Sequence, residues 1–312
     1  MSELILQTRD LTRRYGHTLA LDHAALSVEK GQIFGLVGRN GAGKTTLIRL
    51  ISGQSNPTAG EITLFGASTP AALARARSRT GAMVEIPSFY PYLTARQNLE
   101  YYRIQRGIPG KECVDEALEQ VRLTDTGKKK FKTFSLGMKQ RLGLALALMN
   151  HPEFLLLDEP INGLDPEGIV EFRELLLRLN RERQTTILIS SHILSELSTL
   201  ATHYAFIERG KVLESISASR LREKCRECLE FTVDDAAKAA RVLEEQLGTR
   251  DFEVLPKNKL RLYTFLDQPQ TVNRVLLEQG VGLIAAQQRD SNLEDYFLSL
   301  IGGGHAAGKE GV

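Results

Sequence analysis

Residues 38–46 and 154–159 hold the side chains best suited to phosphate chemistry. Gly38-Arg39-Asn40-Gly41-Ala42-Gly43-Lys44-Thr45-Thr46 carries the spacing GxxxxGK[ST]. Its glycines let the main chain curl so that successive N–H groups point at phosphate oxygens. Lys44 suits the β- and γ-phosphates, and the Thr45 hydroxyl suits one coordination position on Mg²⁺. Phe154-Leu155-Leu156-Leu157-Asp158-Glu159 is an apolar run ending in two carboxylates. Asp158 suits a magnesium ion held through water, because this ion keeps octahedral geometry and part of its hydration shell. Glu159, one residue further on, suits orienting and deprotonating an attacking water. Together the two segments imply hydrolysis of a nucleoside triphosphate. A glycine-rich turn that binds nothing, and an acid that follows an apolar run by accident, are the plain alternatives.

The elements around these segments decide against the alternatives. Ile33 to Val37 reads as a strand before the glycine-rich loop, and Thr45 to Ser52 as the helix after it. That helix aims its positive dipole end at the phosphate site. Strand character returns at Phe154 to Leu157 and Thr185 to Ser190, with a helix over Pro166 to Arg183 between them. This is the order of an α/β nucleotide-binding core. Residues 1–30 alternate apolar and polar side chains as strands do. Residues 91–150 turn helical: Thr94 and Gln97 form a capping box, a second helix covers Glu112 to Val121, and Ser135 caps a third that stops at His151-Pro152.

Beyond residue 219 no phosphate motif appears. The order is strand (229–233), helix (236–246), two strands (252–255, 260–265), helix (270–279) and strand (281–286). That βαββαβ order suits a ferredoxin-like α+β domain. The expected organisation is therefore an ATP-binding domain over 1–218, with a helical subdomain at about 91–150. An accessory domain over 219–301 and a flexible tail over 302–312 follow.

Composition excludes several classes. The 312 residues are 42% hydrophobic with a net charge of +2, so bulk charge does not favour a nucleic-acid partner. Apolar runs such as Leu144 to Met149 fall far short of the roughly 20 residues a spanning helix needs. The first residues lack the basic start and apolar core of a secretion signal, and three cysteines suit a reducing compartment. A cytoplasmic protein is expected.

Further landmarks stand in a telling order. Phe134-Ser135-Leu136-Gly137-Met138 precedes the Asp158 strand, and Ile161-Asn162-Gly163-Leu164-Asp165 follows Glu159-Pro160. His192 follows the strand at 185–190, Tyr15 precedes the glycine-rich loop, and Glu85 lies between that loop and the helical region. Over residues 3–217 the chain resembles the ATP-binding subunits of ABC transporters. The resemblance implies a P-loop core with an antiparallel β subdomain and a helical subdomain, and ATP and Mg²⁺ as ligands. It implies that Tyr15 stacks on adenine, that residues 38–46 with Ser135 and Gly137 contact nucleotide, and that Thr45, Glu85 and Asp158 hold the metal. Lys44, Glu159 and His192 would be catalytic, with Asp165 at a subunit interface. In this family Ser135 would face the ATP of a second ATP-binding subunit, here expected to be an identical copy. A separate membrane permease would be contacted around Glu85–Asn98, which places the chain on the inner face of the cell membrane.

Two departures stand out: Leu136 where a glycine is usual, and Glu85 where a glutamine is usual. With the C-terminal Leu293-Glu-Asp-Tyr-Phe-Leu-Ser-Leu300, they resemble the subgroup that exports peptide antibiotics such as bacitracin and lantibiotics. Two other readings stay open: a soluble ABC ATPase acting on ribosomes or DNA, and a regulatory subunit that binds ATP without turnover. Cys225 and Cys228 have CxxC spacing, but no second pair exists, and neither His203 nor His305 is spaced to complete a zinc site. Lys128 to Lys130 reads as a solvated loop.

Overall fold

The computed structural model describes residues 3–85, 88–289 and 293–303. Two compact units make up the chain, residues 1–218 and 219–312.

The alternating N-terminal segments form β1 (Leu4–Tyr15) and β2 (Thr18–Glu29), an antiparallel hairpin that turns at Gly16. Then come β3 (Ile33–Val37), α1 (Lys44–Ser52), β4 (Ala59–Leu64), α2 (Pro70–Arg77) and β5 (Thr80–Met83). The helical region holds α3 (Ala95–Gln105), α4 (Glu112–Gln120) and α5 (Leu136–Leu148). Thr94 and Gln97 close the expected capping box on α3. Every residue of α5 from Leu142 to Leu148 is buried, so this helix is apolar all round. The first unit continues through β6 (Phe154–Asp158), α6 (Pro166–Arg183), β7 (Thr186–Ser191), α7 (Leu194–Ser198), β8 (His203–Glu208) and β9 (Lys211–Ser217). The short α8 (Ala218–Lys224) leads out of it.

Strands β1, β2 and β4 form a small antiparallel sheet in the order β2-β1-β4. The larger sheet runs β5-β6-β7-β3-β8-β9, parallel except for the β8–β9 pair. Its central strands are strongly apolar because both faces are covered, one of them by α1 together with the small sheet: all residues of β3, β6 and β7 are buried. β7 lies between β3 and β6, so the three strands end side by side. Open parallel sheets present ligands at those carboxyl ends.

The second unit contains β10 (Cys228–Val233), α9 (Ala236–Leu247), β11 (Phe252–Leu255), β12 (Lys259–Leu262), α10 (Pro269–Glu278), β13 (Leu283–Arg289) and α11 (Leu293–Gly303). The strands form an antiparallel sheet ordered β11-β12-β10-β13, a ferredoxin-like arrangement. Leu229, Phe231, Val233, Leu260 and Leu262 pack with Val272 and Leu276 to make its core. Several boundaries differ from expectation, among them β13, which runs Leu283–Arg289 rather than 281–286. β12 stops at Leu262; the Tyr263 N–H still reaches the Asp251 carbonyl, and the chain then leaves the sheet as Phe265 takes φ 59. Gly302 and Gly303 close α11 rather than opening a tail, whose residues 304–312 lie outside the described residues, as does His305.

Candidate nucleotide site

The glycine-rich loop leaves the end of β3 and is wedged under the β8–β9 turn. The Gly210 N–H donates to the Ala42 carbonyl (2.8 Å). Gly43 sits at φ 111, and a Cβ there would come within 2.8 Å of the Ala20 carbonyl oxygen. Only glycine fits that position. No side chain caps α1, so its first N–H groups face the loop as an anion site. The cleft above has a volume of ≈ 320 Å³ and is lined by residues 39–41 and 43–46 together with Thr18, Leu19, Ala20, Glu159, Arg209 and Gly210.

Two polar chains converge beneath this cleft. Thr45 Oγ1 donates to Asp158 Oδ2 (2.7 Å), and Ser190 Oγ donates to Asp158 Oδ1 (2.7 Å). The same Ser190 Oγ accepts from the Glu159 N–H (2.9 Å). Asp158 and Ser190 are buried, and burial of a carboxylate is tolerable only with such donors. In the second chain, Glu159 Oε2 lies 2.8 Å from His192 Nδ1, and its Oε1 lies 3.1 Å from Lys44 Nζ. Lys44 also donates to the Gly38 and Arg39 carbonyls (2.6 and 3.2 Å). Glu159 holds φ 48, a strained conformation for a residue with a Cβ. The Ser190 hydroxyl, bonded to the Glu159 N–H, holds that conformation.

Asp158 and Thr45 offer two hard oxygens at one point, a donor set that fits Mg²⁺ completed by phosphate and water. The expected residues Lys44, Thr45, Asp158, Glu159 and His192 are thus brought together.

Ser135 and Gly137 lie elsewhere. Ser135 caps α5, accepting from the Met138 N–H (3.3 Å), and Asp165 caps α6, accepting from the Gly168 N–H (3.1 Å). Both line a second cleft of ≈ 440 Å³ with Gly137 and Gly163. This cleft shares no lining residue with the glycine-rich one.

Residues 21–162 match the family described as "ABC transporter". The chain is 45% identical over 96% of its length, and 98% of the relative, to the bacitracin transport ATP-binding protein BcrA of Bacillus licheniformis. The family is settled by that likeness. This chain is an ABC transporter ATP-binding protein. The lantibiotic transport ATP-binding protein SrtF of Streptococcus pyogenes is 38% identical over 67% of this chain and 89% of its own. A dimeric cassette, MJ0796, in a post-hydrolysis state with ADP and Pi, superposes with a TM-score of 0.62 at 23% identity. It covers 68% of this chain and 98% of its own, and shows the fold alone.

The cassette therefore binds and hydrolyses ATP, and it works with a membrane transporter. No helix among the described residues is long and apolar enough to cross a membrane. The relatives are transporter subunits, which removes the ribosome or DNA alternative.

Three landmarks of the cassette are less direct. Tyr15 ends β1 opposite Thr18, which lines the glycine-rich cleft, but Tyr15 itself does not line it. The Arg13 guanidinium lies 4.4 Å from its ring centroid. A hydrogen bond to Ser55, aided by Arg13, holds the phenol below its usual pKa. Glu85 is not brought to Thr45 and Asp158: at φ 60, its carboxylate bonds Arg49 Nη2 on α1 at 2.5 Å. Leu136 rests against Gly163, where an added Cβ would come within 2.7 Å of its Cδ2; φ 76 at Gly163 demands glycine as well. Lys128 to Lys130 are all exposed, as expected of a solvated loop, and Lys129 Nζ lies 3.5 Å from Met138 Sδ.

Sequence reasoning missed Ser190, Arg209 and Gly210. A serine in the otherwise apolar run Thr186–Ile189 was the available signal for the first. Arg209 and Gly210 gave none, because only the folding of the β8–β9 turn onto the loop brings them in. Cys228 is buried and Cys225 partly buried, both as thiols, and burial raises the Cys225 pKa.

Proposed function

We propose that two copies of this chain sandwich two ATP molecules and that their hydrolysis drives export of antimicrobial peptides through a separate permease. The convergence of Lys44, Glu159 and His192 over the Thr45–Asp158 pair carries the reading.

Residues Gly38, Arg39, Asn40, Gly41, Ala42, Gly43, Lys44, Thr45 and Thr46 wrap the phosphates, with Tyr15 stacked on the base. Lys44 exchanges its loop carbonyls for phosphate oxygens. Thr45 and Asp158 hold Mg²⁺, which neutralises phosphate charge when bound. Glu85 joins them only on leaving Arg49. Glu159 accepts a proton from the attacking water, and His192 fixes the Glu159 carboxylate so that it points at that water. Ser190 holds Asp158 and the Glu159 backbone together, a positioning role.

Ser135 and Gly137 serve the partner copy's ATP. The separation of the two clefts supports this, since a helix-start anion site with no phosphate loop of its own needs a second copy. The permease docks around Glu85–Asn98, of which Ile86 and Pro87 lie outside the described residues. Tyr90 and Tyr92 there are 43% and 70% exposed, a surface suited to an apolar partner segment. The chain thus works at the cytoplasmic face of the membrane, with no role for nucleic acid. Residues 219–301 are an accessory domain outside the ATP chemistry.

Gel filtration of Glu159→Gln with MgATP tests the sandwich: a dimer is expected, and purely monomeric elution overturns it. Purification of tagged chain from detergent-solubilised membranes tests the rest. A stoichiometric polytopic protein supports the permease, and raised sensitivity to bacitracin-like peptides on loss of the chain supports the cargo.

A further inference from the structure

The four-stranded sheet of the second unit has two unlike edges. β11 is four residues long and carries Glu253, whose carboxylate accepts from the Tyr263 hydroxyl (3.1 Å). A short, charged strand is a protected edge. β13 is the opposite case. It is paired to β10 on one side, from Cys228↔Arg289 to Val233↔Leu283, and no strand among the described residues pairs with its other side.

Residues Leu283-Ile284-Ala285-Ala286-Gln287-Gln288 contain no charge and no proline. Ile284 is 70% exposed, and Ala285 to Gln288 are all exposed. α10 packs on this strand, and its Leu277 is 56% exposed. α11, which follows, is anchored at α8 through Lys224 Nζ and the Tyr296 hydroxyl (2.7 Å). An exposed edge strand, uncharged from Leu283 to Gln288, offers its N–H and C=O groups to another strand.

We propose that β13 pairs with β13 of a second copy, joining the two C-terminal units into one antiparallel eight-stranded sheet without nucleotide. A second copy fits this edge because an antiparallel pair about a two-fold axis opposes the strand to its own reverse. Centred on Ala286, that opposition sets Arg289 against Leu283, so no like charges face each other, and Ile284 comes over Gln288 of the other copy. The sheet is already antiparallel, so a further strand of this sense continues its ladder. The inference stands on the strand itself; the ATP sandwich adds only proximity.

Analytical ultracentrifugation of the full chain without nucleotide tests it, at concentrations up to about 50 µM, where a micromolar contact is populated. The wild type is expected to dimerise, and Ala286→Glu to weaken the dimer at least about tenfold, since like charges are then brought together across the ladder. An equal mixture of Ala286→Glu and Ala286→Lys is expected to dimerise again. Ile284→Lys, at a side chain with little packing to lose, should weaken it in the same way. A monomeric wild type, or dimers unmoved by both substitutions, overturns the proposal. The ATP-driven dimer of Glu159→Gln should survive Ala286→Glu, so failure of the edge contact and failure of the sandwich read out separately.

Discussion

The two clefts of the first unit are built from different chemistry. The glycine-rich cleft ends on the Lys44–Glu159 ion pair, with the His192 ring against the same carboxylate, and on a buried carboxylate tied to two hydroxyls. The Ser135 cleft offers a capped helix start and Gly163, and Arg141 on its lining is held in an ion pair with Glu171 of α6. One cleft can move a proton; the other can only hold an anion. Substitutions in the first should therefore act on kcat, and those in the second on assembly.

The largest expected effect is that of Glu159→Gln, which keeps shape and removes the proton acceptor. Its kcat should fall by about 10³-fold with ATP binding retained, measured by phosphate release and equilibrium binding. A loss of binding alongside turnover would mean that Glu159 shapes the cleft rather than serving the water.

Mixing variants sharpens the contrast. Lys44→Ala and Ser135→Arg should each be inactive alone. Mixed, they should recover up to about a quarter of wild-type turnover, since half the dimers then hold one intact composite site. No recovery would put both clefts in the service of one copy.

Ser190→Ala removes a donor from Asp158 and an acceptor from the Glu159 N–H. A stability loss of about 2 kcal/mol is expected, with kcat lowered about tenfold and KM for ATP little changed. Denaturant melts and steady-state kinetics check both, and a rise in KM alone would assign Ser190 to binding.

The smallest effect belongs to Tyr15. Tyr15→Ala should raise KM about tenfold through lost stacking, while Tyr15→Phe, which keeps the ring and loses the Ser55 bond, should match wild type. Equal damage from both would place its role in the hydroxyl.

Elements built from unbroken periodicity were legible before folding. β3, α6 and β11 fall on the expected residues, because an apolar run, an amphipathic helix opened by Asp165-Pro166 and a short Phe-Glu-Val-Leu strand each declare themselves locally. The expected strand overran β12 by three residues: Tyr263 to Phe265 look strand-like, and only the left-handed conformation of Phe265 takes the chain out of the sheet. Glu85 was legible as a departure, but not its partner. Arg49 and Glu85 are 2.5 Å apart in space and lie on separate elements, so no spacing links them.

The amino-acid sequence by itself determined the phosphate loop, the two acids after β6 and the helix caps at Thr94 and Ser135. In each the interacting groups lie within a few residues, so local geometry follows from residue type and spacing. Tertiary structure alone decided that β7 runs between β3 and β6 and so carries Ser190 and His192 to Asp158 and Glu159. It alone put Ser135 and Lys44 in separate clefts, and left β13 at a sheet edge rather than its centre. Strand order is set by which buried faces fit together across the whole chain, and no local pattern encodes it.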